Sequence, residues 1–461
     1  MKDRILQTLS DLRTYALTKD PEISLFYHEE ESALMRFANS AVSLNTAEHL
    51  IRLEIAAYDG NRRASYEMIT DLDRIDEMKD GIDTAAEMVR HVQPLEYEPT
   101  IPAFESTFAD VSACDEALGA IANEEKLALF NAAVAGLETD DIRLSGIFSS
   151  GINTLAQITT RSEHTQFFKT SDAQVTVVLA HDSEKWEVQA EQSAQRKSDL
   201  DAAPLHDELA FLVERFTHDP RQQLELGSYD IVLGPAATAE FISFMNWVGI
   251  NGGLMKRGYS CLAEEQIGER VLSEAFTLVD DPTRRETFPQ KRDFMGMPRE
   301  PFPFFEKGVF KGFAWTQDDA DEFGEEPTGH TVARKSLVLH GGSEAIDDLP
   351  SLVAAPRDGD LLYIPFLHYA NIVNPTQGLV TGSSRFGAML LKADGSVVIP
   401  YNVRLTQSIL DVFGEKVAWL SQQTVPYNTS SSYGARNPRA IIVPRYLRVN
   451  DLAISHANAS F

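Results

Sequence analysis

Cysteine is nearly missing from this chain: 461 residues carry only Cys114 and Cys261. They can make one disulfide at most, a chain this long does not need one, and a reducing compartment fits equally well. Positive charge is scarce. Lys and Arg number 41 against 69 Asp and Glu, a formal net charge of −28. The longest basic stretch, Arg284-Arg285 to Lys291-Arg292, is broken by acids, so nucleic acid and anionic membrane surfaces are poor partners. No uncharged run reaches the roughly 18 residues of a membrane span. The opening MKDRILQTLSDLRTYALTKD is a charged amphipathic helix without the apolar centre of a secretory signal. The expected compartment is the cytoplasm. Short catalytic signatures are also lacking: there is no G-x-G-x-x-G after a strand, no P-loop, no G-x-S-x-G, no C-x-x-C and no H-E-x-x-H.

What is present reads as a mixed α+β protein. The length and 43% hydrophobic content favour two globular domains. Ile5, Leu9, Leu12 and Ala16 fall at helical spacing over residues 2–18. Strand-like runs follow at Ile23–Tyr27, Ala33–Phe37 and Leu50–Tyr58, and Asp59-Gly60 marks a hairpin into Arg62–Tyr66. Helical stretches are expected from Thr70-Asp71 to His91, over Ala113–Ala135 and around Pro204–Thr217. Between the last two, residues 142–191 have the Thr-, Val- and Phe-rich character of an antiparallel meander. A boundary near Asp219-Pro220 divides an N-terminal domain, 1–219, of helices on an antiparallel sheet from a C-terminal domain, 220–461. Short strands and Gly/Pro/Asn turns in the second part predict a barrel-like or strongly curved sheet around a buried helix.

Several clusters invite a chemical reading, and each has a plainer one. His28-Glu29-Glu30-Glu31 sets imidazole beside carboxylates, but on a strand these side chains alternate faces, and a solvated acidic edge is the expectation. Glu214 and His218 share a helix face, with His206 and Glu208 upstream, giving two donors per cluster where zinc needs three or four. His340-Gly341-Gly342 reads as a turn, and His368 as a histidine within an apolar strand. Lys256 and Arg257 stand near Cys261 and can lower a thiol pKa, though an inert thiol is the plainer reading. Asp280-Asp281-Pro282 is turn chemistry at a strand end. The helix after Gly234-Pro235 is apolar on nearly every side, with Glu240 in its first turn, and suits the floor of an enclosed cavity.

Four phrases in order carry a resemblance. They are Tyr229–Pro235 (YDIVLGP) before that helix, Ser273–Pro282 (SEAFTLVDDP), Ser336–Leu349 (SLVLHGGSEAIDDL), and the stretch from Asn374-Pro375-Thr376-Gln377-Gly378 to Gly382-Ser383-Ser384-Arg385-Phe386. With them the chain resembles the TldD/PmbA family, cytoplasmic proteins described as modulators of DNA gyrase and regarded as peptidases. In its catalytic branch, H-E-x-x-x-H on the helix after the Gly-Pro strand supplies two zinc-binding histidines and a general base, and a cysteine near the C-terminus completes the set. Carried over, Ala239 and Phe244 stand at the histidine positions, Glu240 at the base, and Tyr433 in Tyr433-Gly434-Ala435 at the cysteine. The resemblance therefore implies the PmbA/TldE-like branch. A member of it is a non-catalytic subunit, without a cofactor of its own, that supports proteolysis of unfolded or extended peptides by a TldD-like zinc partner in a homo- or hetero-oligomer. Two alternatives remain. One is an active metal-dependent peptidase whose zinc is held by His206, His218, His340 or His368. The other is a stand-alone peptide-binding homo-oligomer.

Overall fold

The computed structural model describes residues 1–330, 335–430 and 435–461. Its first sheet is built from long strands: β1 (Glu22–Ala38), β2 (Ala41–Asp59), β3 (Arg62–Thr70), β4 (Phe108–Ala113), β5 (Ile142–Thr159), β6 (Ser162–His181) and β7 (Glu187–Ala194). Their order is β3-β2-β1-β5-β6-β4, with β7 also on β6; all pairs are antiparallel except β4–β6. The runs 23–27 and 33–37, expected as two strands, are one strand. Its polar middle does not break it, because His28, Glu29 and Glu30 are buried and each has a partner. The expected solvated acidic edge is therefore corrected. Strand β2 starts well before residue 50, and its first nine residues are exposed. They pair with β1 on one side, while β3 joins only from Ile51, so this edge is open.

Helices cover the sheet. α1 (Lys2–Ala16) and α2 (Ile75–His91) bury Ile5, Leu9 and Leu12, and Met78, Ile82 and Val89, against β1, β2 and β5. The stretch 113–135 is not one helix: α3 (Glu116–Gly119) and α4 (Asn123–Ala133) follow the end of β4. Asp115 caps α3 by accepting from Ala117 N, which starts a helix only after the strand has ended. α5 (Ala202–His218) buries Leu205, Leu209, Leu212 and Phe216. These side chains join a cluster that also contains Tyr363, Met389, Leu391 and Tyr446. One core is thus shared between the first half of the chain and the second.

The remaining strands are mostly short: β8 (Arg221–Gln222), β9 (Ser228–Leu233), β10 (Leu278–Asp280), β11 (Phe302–Glu306), β12 (Val309–Phe310), β13 (Leu337–Leu339), β14 (Leu361–Ile364), β15 (Phe366–Asn374), β16 (Leu379–Arg385), β17 (Met389–Leu391), β18 (Val397–Pro400), β19 (Val403–Ser408), β20 (Val417–Leu420), β21 (Thr424–Asn428), β22 (Ala440–Pro444) and β23 (Leu447–Ala457). They form two open sheets, ordered β12-β11-β10-β13-β22-β21 and β15-β16-β19-β23-β9-β14-β17-β18-β8, with β20 on β23. Among the described residues no sheet closes into a barrel. Several strands of two to four residues cannot carry the continuous stagger that closure needs. The helix α6 (Pro235–Val248) packs against β9, β15, β21 and β22.

Candidate functional site

The site is built on α6 because its entry is tightly specified. A Cβ on Gly234 would lie 2.9 Å from Pro365 Cα and 3.1 Å from the Tyr363 hydroxyl, so only glycine lets the β9–α6 turn pass. Pro235 then occupies the first helical turn, where a missing N–H costs nothing. The small residues Ala236, Ala237, Thr238 and Ala239 follow, all buried. Ala239 is 0% exposed and belongs to the largest apolar cluster. Phe244 packs on the rim of that cluster, its ring 6.5 Å from that of Trp247, which is 45% exposed. Tyr433 lies outside the described residues. A methyl group and a phenyl ring offer a metal no donor atom, so the residues described on α6 do not fit the zinc centre of the family's catalytic branch.

Glu240 is half-buried beside Arg439. Burial raises its carboxyl pKa, and the Arg439 charge opposes that shift. Arg439 is in turn lowered by burial; its Nε and Nη2 donate to the Thr429 hydroxyl and carbonyl at 3.2 and 3.4 Å. The β21–β22 connection that carries Arg439 is anchored in the first sheet. Arg436 makes a bidentate ion pair with buried Asp172 at 2.7 and 2.8 Å, and its backbone N–H donates to Glu30 at 2.9 Å. Gly151 of β5 makes room for it, since a Cβ there would meet Arg436 Cδ at 2.8 Å. Burial pushes Glu30 up, but the Arg436 N–H, Arg52 and Ser32 outweigh it and hold the carboxylate below its ordinary range.

Asp280 corrects the turn reading of Asp280-Asp281-Pro282. Asp281 does cap a turn, accepting from Thr283 N at 3.0 Å. Asp280 instead is fully buried, accepting from Arg299 Nη2 at 2.6 and 2.7 Å, with His330 Nε2 2.9 Å away. Burial pushes its pKa up, but His330 and Arg299 bring it down to about 2. Nothing local to Asp280 signals these partners, which lie in connections farther along the chain.

Where α6 begins, at Pro235 and Ala236, a cleft of about 90 Å³ opens between β7 and β21. The helix thus floors a cavity at one end only. Glu191 and the Glu208–Arg445 ion pair (2.9 Å) line it. Burial, then Glu208, push Glu191 up to about 8.

The scattered histidines are not brought together. His206 Nδ1 meets the Ala133 carbonyl at 3.2 Å. His218 pairs with Glu214 on an exposed helix face, His340 is exposed, and His368 lies beside Arg385. Among the described residues no group of three His, Cys, Asp or Glu side chains is placed to hold a metal ion. Both cysteines are free. Burial raises each thiol to about 11, so Lys256 and Arg257, which pair with acids, do not activate Cys261. No helix among the described residues is long and apolar enough to cross a membrane.

Known proteins share this fold. Residues 226–456 match the model of the PmbA/TldA metallopeptidase C-terminal domain. A metalloprotease from Methanothermobacter thermautotrophicus is 31% identical over 132 residues; the match covers 29% of this chain and spans 28% of that relative's length. TldE from Thermococcus kodakarensis superposes with a TM-score of 0.81 over 97% of this chain and 100% of that one, at 16% identity. A candidate modulator of DNA gyrase from Bacteroides thetaiotaomicron gives 0.77 over 97% and 98%, also at 16%. At such identities the two structures speak for the fold alone.

Proposed function

The chain belongs to the TldD/PmbA family, and from that premise we propose that it is a TldE-like subunit without a metal centre of its own, supporting peptide hydrolysis by a zinc-bearing TldD-like partner. One observation carries this reading: the side chains at the two α6 ligand positions, Ala239 and Phe244, are given over to the apolar core. The likeness to a TldE structure supports it. Glu240 keeps the place of the general base, but with no metal-bound water beside it the carboxylate has nothing to deprotonate. Extended or unfolded peptides are the fitting substrate class, because a strand edge such as residues 41–50 of β2 can hold an extended chain through main-chain hydrogen bonds. We assign residues 1–219 and 220–461 as the two domains and the cytoplasm as the compartment. Any effect on gyrase is then indirect, through proteolysis, because the net charge of −28 repels DNA.

Co-expression with a TldD-like protein from the same source tests this. The pair is expected to co-purify and to cleave unstructured peptides, while this chain alone does not cleave them. Robust chelator-sensitive cleavage by this chain alone would overturn the reading.

A further inference from the structure

One pocket at the seam between the two halves has two buried donors on its wall, Lys335 Nζ and Asn153 Nδ2, with nothing to donate to among the described residues. It lies where Pro438 and Arg439 meet β5, β6 and the 287–290 segment. Lys335 on its wall is 3% exposed, and among the described residues its Nζ has neither a hydrogen-bond acceptor nor an ion-pair partner. Asn153, also 3% exposed, sets its Oδ1 2.9 Å from His28 Nε2, while its Nδ2 is buried without a partner. Arg439 commits Nε and Nη2 to Thr429. Thr170, Thr287 and Gln290, all buried, complete the polar lining. The nearby buried charge is unbalanced. Of the carboxylates near Lys335, Asp280 is taken by Arg299 and Asp319 by Arg257, and the one beside Arg439 is Glu240.

We propose that this pocket binds one small monovalent anion, held by Lys335, Asn153 and Arg439. A water molecule would satisfy the Asn153 amide but leave the charge excess uncorrected; an anion corrects both. Size narrows the choice. The pocket has room for about one water-sized particle, about 10 Å³, so phosphate and sulfate do not fit, whereas a halide or the end of a carboxylate does. The ligands come from both halves of the chain, so the anion ties the β21–β22 connection to β5. The inference stands independently of the assembly role above.

The test uses crystals of the full chain soaked in bromide. An anomalous peak between Lys335 Nζ and Asn153 Nδ2 is expected, absent in Lys335→Met. In solution, bromide should raise the melting temperature saturably in the wild type and not in Lys335→Met. If that variant does not fold, Asn153→Leu serves instead, with the same loss expected. Acetate, and a peptide with a free or an amidated C-terminus, then identify the source. Displacement of bromide by the free acid but not the amide assigns the pocket to a peptide carboxylate, and displacement by acetate but not by either peptide assigns it to a free anion. Density without anomalous signal, together with melting that does not respond to bromide in the wild type, would mean a water only and overturn the proposal.

Discussion

Two kinds of buried charge lie along the seam of this protein. In the Arg436–Asp172 and Asp280–Arg299–His330 groups every charge meets its opposite within hydrogen-bonding distance. Glu240 and Arg439 are half-buried and Lys335 is buried, and here Arg439 senses Glu240, and Lys335 senses Arg439, only through space. Closed groups hold the halves together. A buried group left open marks a place that receives something, because an unmatched charge persists only where a function or a ligand requires it.

The comparison is broken most strongly at the closed groups. Asp280→Asn should destabilise the fold by about 3–5 kcal/mol, since Arg299 loses its counter-charge inside the protein; chemical denaturation at neutral pH reads this. The same carboxylate sets an acid limit. Its pKa is lowered from 3.8 to about 2, so its stabilising contribution is present above pH 3.8 and is lost as pH falls through about 2. Arg436→Met should cost a similar amount, about 3–5 kcal/mol, by leaving Asp172 unpaired. Limited proteolysis should then cut the 429–439 connection first.

At the open group the sign reverses. In halide-free buffer Lys335→Met should stabilise the protein by about 1–3 kcal/mol. Burial lowers the lysine from 10.5 to about 7, so the penalty is full below pH 7 and fades as pH rises toward 10.5. Denaturation of both proteins at several pH values should show the gap closing in that direction, and closing also in bromide.

Smaller effects sharpen the contrast. Glu191 has a pKa raised from 4.5 to about 8. Its favourable contribution is full below pH 4.5 and lost as pH rises through 8, so Glu191→Gln should lose less stability than the wild type over that window. The smallest change is expected for Glu240→Gln, which should leave cleavage by the assembled pair nearly unaltered. A fall of about a hundredfold in that assay would mean that Glu240 acts as a base.

How far the sequence was legible follows from the range of the interactions. The turn Gly234-Pro235 and the buried α6 could be read because their causes are local: a glycine, a proline, and apolar residues all round. The hairpin at Asp59-Gly60 was equally plain, and it joins β2 to β3 as expected. His28–Glu31 was misread because its partners, Asn153, His49, Arg52 and Arg436, are scattered along the chain. Asp280 looked like a turn residue because Asp281, beside it, is one. Short strands were expected in the second half, but their order was not legible, since β9 sits between β14 and β23 and periodicity carries no information on such neighbours. Lys335 and Asn153 gave no signal, because a pocket of unmatched donors exists only once distant segments meet.

The most direct test of the central claim is the zinc content of the purified chain and of its complex with a TldD-like partner, measured by mass spectrometry on undialysed samples. The account predicts zinc in proportion to the partner alone, with none carried by this chain. Stoichiometric zinc on this chain by itself would contradict it.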